Sequence, residues 1–230
     1  MIENKTKVYI AIPTGGLMRA ELLLWSHQLD FNKYEITFDI TTIGQAQDNR
    51  NILIKRFLKS DYEWLLFVDA DTVPPPNILD MTENKVNICS GVYYVWLKNN
   101  LVPLIMKRVS SGDYNILANF VSAEHYLIEV DGIGGGALLI NRKVFERLKP
   151  PYFLVIYGND GIRVKGNDFY FCEKAKKKGF KVYVDLRFVS KHFKELDLKM
   201  LVEWMARNIE MKKIYKEGDK NDQYSNQDSS

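Results

Sequence analysis

Trp64–Pro76 reads WLLFVDADTVPPP: five apolar residues run into two carboxylates, and a rigid run of prolines follows. An apolar run this short, without polar alternation and bounded by turn residues, predicts a strand buried on both faces of a largely parallel sheet. Ligands of open α/β sheets collect at the carboxyl ends of strands, where Asp69 and Asp71 emerge. Continued in extended backbone, residues two apart point to one side, so both carboxylates would face the same space. Two charges held that close repel, and a divalent cation with hard oxygen ligands, Mg²⁺ or Mn²⁺, relieves the repulsion and would in turn hold a diphosphate. An acidic pair in an exposed turn has the same short pattern. The buried strand before it and Pro74–Pro76 after it, which continue neither a ladder nor a helix, fix the pair at a sheet edge.

The chain around this strand has 230 residues and 46% hydrophobic content, enough for one sizeable core, so the expectation is one domain over 1–216. Its formal charge of +3 calls for neither nucleic acid nor an acidic membrane surface. Cys89 and Cys172 sit in apolar patterns and read as reduced core residues, and MIENKTK lacks the apolar region of a signal peptide; together they predict a cytoplasmic protein.

Lys7–Ile12 predicts a strand, Pro13-Thr14-Gly15-Gly16 a loop, and Met18–Leu29 a helix. Such a loop can turn backbone N–H groups to a nucleotide, or be an ordinary βα turn, and it lacks the G-x-G-x-x-G dinucleotide fingerprint. Tyr34–Ile40 predicts a second strand and Ala46–Ser60 a helix with Arg50 near its front, where a guanidinium can grip a diphosphate or simply face solvent. Past the carboxylates, Pro76–Thr82 reads as a short helix, and Val86–Val95 and Val102–Val109 as strands separated by a loop over Leu97–Leu101. Gly112-Asp113 marks a turn. Tyr93 and Tyr94 read as core, whereas Trp96 is open between core and a platform for an acceptor sugar.

His125–Val130 and Ala137–Ile140 flank the run DGIGGG, in which three adjacent glycines, Gly134–Gly136, require that backbone face something close, unless they form a mere bulge. Arg142–Leu148 predicts a helix, and Phe153–Gly166, hinged around Gly158 and Gly161, a lid. Asn167–Gly179 predicts a helix whose first turn holds Asp168, either as a reactive carboxylate or as a partner of the helix dipole. Phe180–Val184 is a strand, with His192 beyond it. Leu196–Lys216 predicts a helix whose apolar stripe packs on the domain or, bordered by basic residues, touches a membrane surface peripherally. Residues 217–230 are polar and predict a disordered tail.

Four of these segments resemble GT-A glycosyltransferases, particularly the family-2-like branch, over residues 7 to about 193: the Asp-x-Asp after a buried strand, QAQDNRNILI before it, DGIGGGALLINRKVFERL, and NDFYFCEKAKKKG. The resemblance implies a GT-A α/β fold, a mixed sheet flanked by helices, with a nucleotide-binding half over about 1–83 and an acceptor half over about 84–193. It implies a hexosyltransferase using a nucleotide-diphosphate sugar and Mn²⁺ or Mg²⁺, with a glycan, protein or lipid-linked acceptor and no nucleic acid. By it, Pro13 and Thr14 lie beside the base and ribose, Arg50 faces the sugar nucleotide, Asp69 contacts ribose or metal, and Asp71 and His192 ligate the metal. Asp168 becomes the general base of an inverting reaction, and Gly134 and Gly135 lie on the acceptor side with Trp96. Asn167 departs from the family, which has Glu there. A nucleotidyltransferase is the enzymatic alternative, although PTGGLMRAELLLW carries that pattern only in part; a non-catalytic sugar-nucleotide or glycan-binding module is the other, and Asn167 is the feature that suggests it.

Overall fold

The computed structural model divides into two compact units, Met1–Val95 with Val102–Phe193, and Trp96–Leu101 with Lys194–Ser230. The structure describes residues 5–97, 100–110, 114–117 and 125–208. The first unit is built on a mixed sheet of seven strands: β1 (Thr6–Pro13), β2 (Tyr34–Thr41), β3 (Trp64–Val68), β4 (Ile88–Val92), β5 (Leu127–Val130), β6 (Ala137–Asn141) and β7 (Val182–Val189). Their spatial order is β5-β7-β4-β6-β3-β1-β2. β1 to β4 and β7 run one way, whereas β6 is antiparallel to both its neighbours and β5 to β7. The α/β class and the helix-flanked, mostly parallel sheet expected from the sequence are what the chain forms.

Side chains alternate across this sheet, and the two faces build separate cores. Tyr9, Ala11, Leu65, Phe67, Leu138 and Ile140 face one way, against α2 (Ala46–Phe57), α3 (Arg142–Arg147) and α4 (Asn167–Lys177). Val8, Ile10, Ile12, Leu66, Val68 and Leu139 face the other, against α1 (Ala20–Ser26) and a 3₁₀ turn at Ile78–Asn84. All five residues of β3 are buried, as a strand covered on both faces requires. Cys89 and Cys172 are free and buried.

Several boundaries differ from the sequence expectation. The segment expected as a lid closes into a hairpin, Ile156–Tyr157 against Arg163–Lys165. Its Gly158 N–H donates to the Ile162 carbonyl at 2.8 Å, the Asp160 carboxylate accepts from Ile162 N–H, and Gly161 has φ +76°, so the Gly-Asn-Asp-Gly signal is turn chemistry. Strands Tyr94–Leu97 and Asn100–Pro103 extend into the expected Leu97–Leu101 loop. The strand after α4 runs on to Val189 rather than ending at Val184. Of the expected 196–216 helix, residues 198–208 are helical in the second unit and 196–197 precede the helix; 209–216, the 217–230 tail and the Gly112-Asp113 turn lie outside the described residues. Within that unit Trp96 meets Trp204 edge to face at 5.9 Å, and Leu198, Val202 and Met205 are exposed. Among the described residues no helix is long and apolar enough to cross a membrane.

Candidate active site

β3 stops at Val68, and the next residues turn: Thr72 N–H donates to the Asp69 carbonyl at 2.9 Å. Asp69 still follows the alternation of the strand, and its N–H donates to Gly136 at 3.2 Å, so its carboxylate arrives on the face of the sheet covered by α2 and α4. Beyond the turn, Thr72–Val73 pairs with Lys191–His192, and Phe193 N–H donates to the Asp71 carbonyl at 2.9 Å. The extended backbone expected through Asp-x-Asp is therefore replaced by a turn, and the two carboxylates meet different partners.

Asp69 meets Arg50. The Arg50 side chain, 3% exposed, comes from the first turns of α2, and its Nη2 donates to Asp69 Oδ1 at 2.6 Å. Nη1 donates to Asp168 Oδ1 at 2.6 Å and Asn167 Oδ1 at 2.5 Å, both at the start of α4. The guanidinium lies over Phe67 and Phe153, 5.8 and 5.4 Å from their centroids. Burial opposes its charge, but Asp168 and Asp69 more than offset that, so Arg50 is held above its already high pKa and stays charged. Asp168 is pushed up by burial and by Asp69 while Arg50 pulls it down, and the net direction is upward. Asp168 lies in the first turn of α4, where the helix dipole favours a carboxylate, while Gly166 occupies the N-cap and the Asp168 carboxylate is turned to Arg50. Arg50, expected to face a diphosphate, spends both terminal nitrogens inside the protein.

Asp71 meets His192. His192 Nδ1 lies 2.8 Å from the Tyr94 carbonyl, which can only accept, so Nδ1 carries a proton; Nε2 faces Asp71 Oδ2 at 3.5 Å. This carboxylate–imidazole pair has the chemistry of a cation site fixed by an outer hydrogen bond. Among the described residues no group of three or more His, Cys, Asp and Glu is placed to hold a metal, so the pair is a two-donor fragment, and Asp69 is not brought into it.

The glycine run separates these features. A side chain at Gly135 would place its Cβ 2.4 Å from Arg50 Nη2 and 3.0 Å from Asp168 Oδ1, and one at Gly134 would overlap the Tyr93 hydroxyl. Gly134–Gly136 therefore let the backbone pass directly against the site. Tyr93, read from sequence as core, is buried, but its hydroxyl stands over these glycines and its ring meets His192 edge to face at 5.2 Å. Burial, then Asp168 and Asp69, hold its phenol well above the ordinary value, so it stays protonated.

Pro13 ends β1 and Thr14 follows it, beside a cleft of about 660 Å³ lined also by Gly15, Thr42, Gly44 and Asp48. Asn49, which the sequence reading passed over, closes its floor: the buried amide donates to Thr14 O at 3.0 Å and Gly44 O at 2.9 Å and accepts from Gly44 N–H. An Asn inside a helix is a poor helix former, and that was the available signal that its side chain has a partner elsewhere. Asn51 clamps α2 to Tyr152 and Phe153 through backbone bonds. Trp96 belongs to the second unit, and its buried indole N–H has no hydrogen-bond partner among the described residues.

No protein-family profile matches the chain, and no curated protein matches it. Solved structures similar to it include A197 from STIV, with a TM-score of 0.57 and 23% identity over 82% of this chain and 86% of that one. GalNAc-T7 with UDP, GalNAc and Mn²⁺ follows at TM-score 0.49 and 13% identity, over 85% of this chain and 45% of that one. TarS from S. aureus gives 0.48 and 13%, over 86% and 38%. The likeness to A197 is one of fold.

Proposed function

We propose that the first unit is a metal-dependent GT-A glycosyltransferase that moves a hexose from a nucleotide-diphosphate sugar to an acceptor hydroxyl with inversion. The observation that carries this reading is the joining, through Arg50, of the Asp-x-Asp carboxylate Asp69 to Asp168 at the start of α4, at the carboxyl end of the central strand. Two carboxylates from opposite halves of the sequence share one guanidinium, which holds a candidate donor-binding group and a candidate proton acceptor in one place.

In this reading the nucleoside occupies the cleft at Pro13 and Thr14, and Asp69 contacts the ribose. Asp71 and His192 fit Mn²⁺ or Mg²⁺: a hard oxygen stands beside an imidazole nitrogen whose tautomer Tyr94 fixes. The bound cation supplies charge neutralisation for the departing nucleoside diphosphate. Asp168 accepts the proton of the acceptor hydroxyl as its oxygen attacks the anomeric carbon, while the bond from that carbon to the diphosphate oxygen breaks. Gly134 and Gly135 shape the acceptor side from behind: both are buried, and their missing side chains leave room for the Tyr93 hydroxyl and for Arg50.

Calorimetry of UDP and GDP, each with Mn²⁺ and with EDTA, tests the reading. Wild type binds one of them in a Mn²⁺-dependent way, and Asp71→Ala loses that binding while keeping its fold, because a half-exposed strand-end ligand and not a core group is removed. Equal affinity in the variant disposes of the metal assignment.

A further inference from the structure

Arg50 reaches three partners on two other parts of the chain, and this arrangement defines a role distinct from gripping a diphosphate. We infer that Arg50 is a positioning residue, clamping the proton-accepting carboxylate of Asp168 to the donor-side carboxylate of Asp69, and that Asn167 serves this clamp by accepting a hydrogen bond without adding charge. The inference rests on the transferase reading.

A buried guanidinium is costly to desolvate, and an apolar residue of similar volume often serves stability as well. Arg50 is 2% exposed, yet it ends in charge-assisted bonds of 2.5 to 2.6 Å to Asn167, Asp168 and Asp69. These partners lie 19 to 118 residues away in sequence, at the end of β3 and the start of α4, the two places that supply the reacting geometry. The planar fork spans both carboxylates with separate nitrogens, which the point charge of a lysine cannot do. Phe67 and Phe153 hold its plane, and the bare Gly135 backbone makes room for Nη2. One nitrogen, Nη1, serves both Asn167 and Asp168. A carboxylate at 167 would put two negative oxygens on that nitrogen and a third on its neighbour. One of them would have to leave or take a proton, and the clamp on Asp168 would loosen.

The test combines kinetics with a double-mutant cycle. Nucleoside diphosphate release from UDP-glucose, UDP-N-acetylglucosamine and GDP-mannose with Mn²⁺ is measured for wild type, Arg50→Lys and Asn167→Asp, and thermal stability for Arg50→Gln, Asp168→Asn and the double variant. Arg50→Lys keeps the charge but not the fork, so kcat falls roughly tenfold to a hundredfold, the scale of a misplaced group, with the donor KM within about twofold. Asn167→Asp gives a smaller fall of the same kind, and the stability effects at Arg50 and Asp168 are non-additive. Unchanged kcat with a raised donor KM in Arg50→Lys overturns the inference, since Arg50 would then be a donor ligand. Additivity in the cycle overturns it as well, because Asp168 would not be held by Arg50. A wild type inert toward all three donors removes the transferase reading and this role with it, whereas the other two outcomes remove this role alone.

Discussion

Asp69 and Asp71 stand two residues apart, and their surroundings have little in common. Asp69 belongs to a braced cluster in which Arg50, Asp168 and Asn167 satisfy one another. Asp71 faces His192 across 3.5 Å, and its side chain is 35% exposed. A single turn, closed by the Thr72 N–H on the Asp69 carbonyl, creates the difference. It leaves Asp69 on the face of the sheet covered by α2 and α4 and hands Asp71 to the short ladder at Lys191–His192. One half of the site is organised before anything binds, as groups that must meet developing charge need to be. In the proposed reading the other half is completed by the cation it binds.

Asp168→Asn breaks the braced half most severely. Transfer is expected to fall by about two orders of magnitude or more, the scale of losing a general base, while nucleoside diphosphate binding persists. Turnover within a few-fold of wild type, measured under saturating donor, would return the role of base to another group such as Asp160 of the 158–162 turn. The variant also loses stability, but less than the roughly 3 kcal/mol expected of a stripped buried pair, because the amide still accepts from Arg50 and Asp69 still opposes its charge. His192→Ala addresses the open half. Mn²⁺ affinity followed by calorimetry should fall about tenfold, a smaller loss than for Asp71→Ala, since the carboxylate and the diphosphate oxygens remain. Equal affinity would make His192 a structural residue, held by the Tyr94 carbonyl and the Tyr93 ring.

Gly135→Ala sharpens the comparison, because its methyl group meets the braced half alone. The 2.4 Å approach to Arg50 Nη2 forces a shift worth about 1–3 kcal/mol in thermal unfolding, with Mn²⁺ binding untouched. A neutral effect on stability would mean that the guanidinium yields freely. The smallest effect is in pH. The Asp168 carboxyl is raised above its ordinary value of 3.8 by burial, so as a base it is fully ionised only above that raised value. The acid limb of kcat/KM should therefore lie above pH 3.8, activity falling as pH drops through it, and Asp168→Asn should abolish that limb.

Much of this frame was legible in the sequence because it rests on local signals. The buried β3, the helix beginning at Ala46 and the close backbone approach at Gly134–Gly136 follow from apolar runs, period and the missing side chains. The inward turn of Arg50 was not legible, since its partners Asn167 and Asp168 lie 117 and 118 residues away and only the folded sheet brings them together. The turn after Val68 was hidden for another reason: Asp-Ala-Asp-Thr suits an extended strand as well as a turn, and the pairing with Lys191–His192 that fixes it is distant in sequence. Gly-Asn-Asp-Gly at 158–161 carried its turn signal openly, and it closes the hairpin between Ile156–Tyr157 and Arg163–Lys165.

The central claim is that the braced carboxylates and the open pair together transfer sugar from a metal-bound donor. Its most direct test is nucleoside diphosphate release from a panel of nucleotide sugars by the wild-type chain, with Mn²⁺ and again with EDTA. The account predicts release from at least one donor with Mn²⁺ and its loss in EDTA; release that is indifferent to EDTA, or none from any donor, would contradict it.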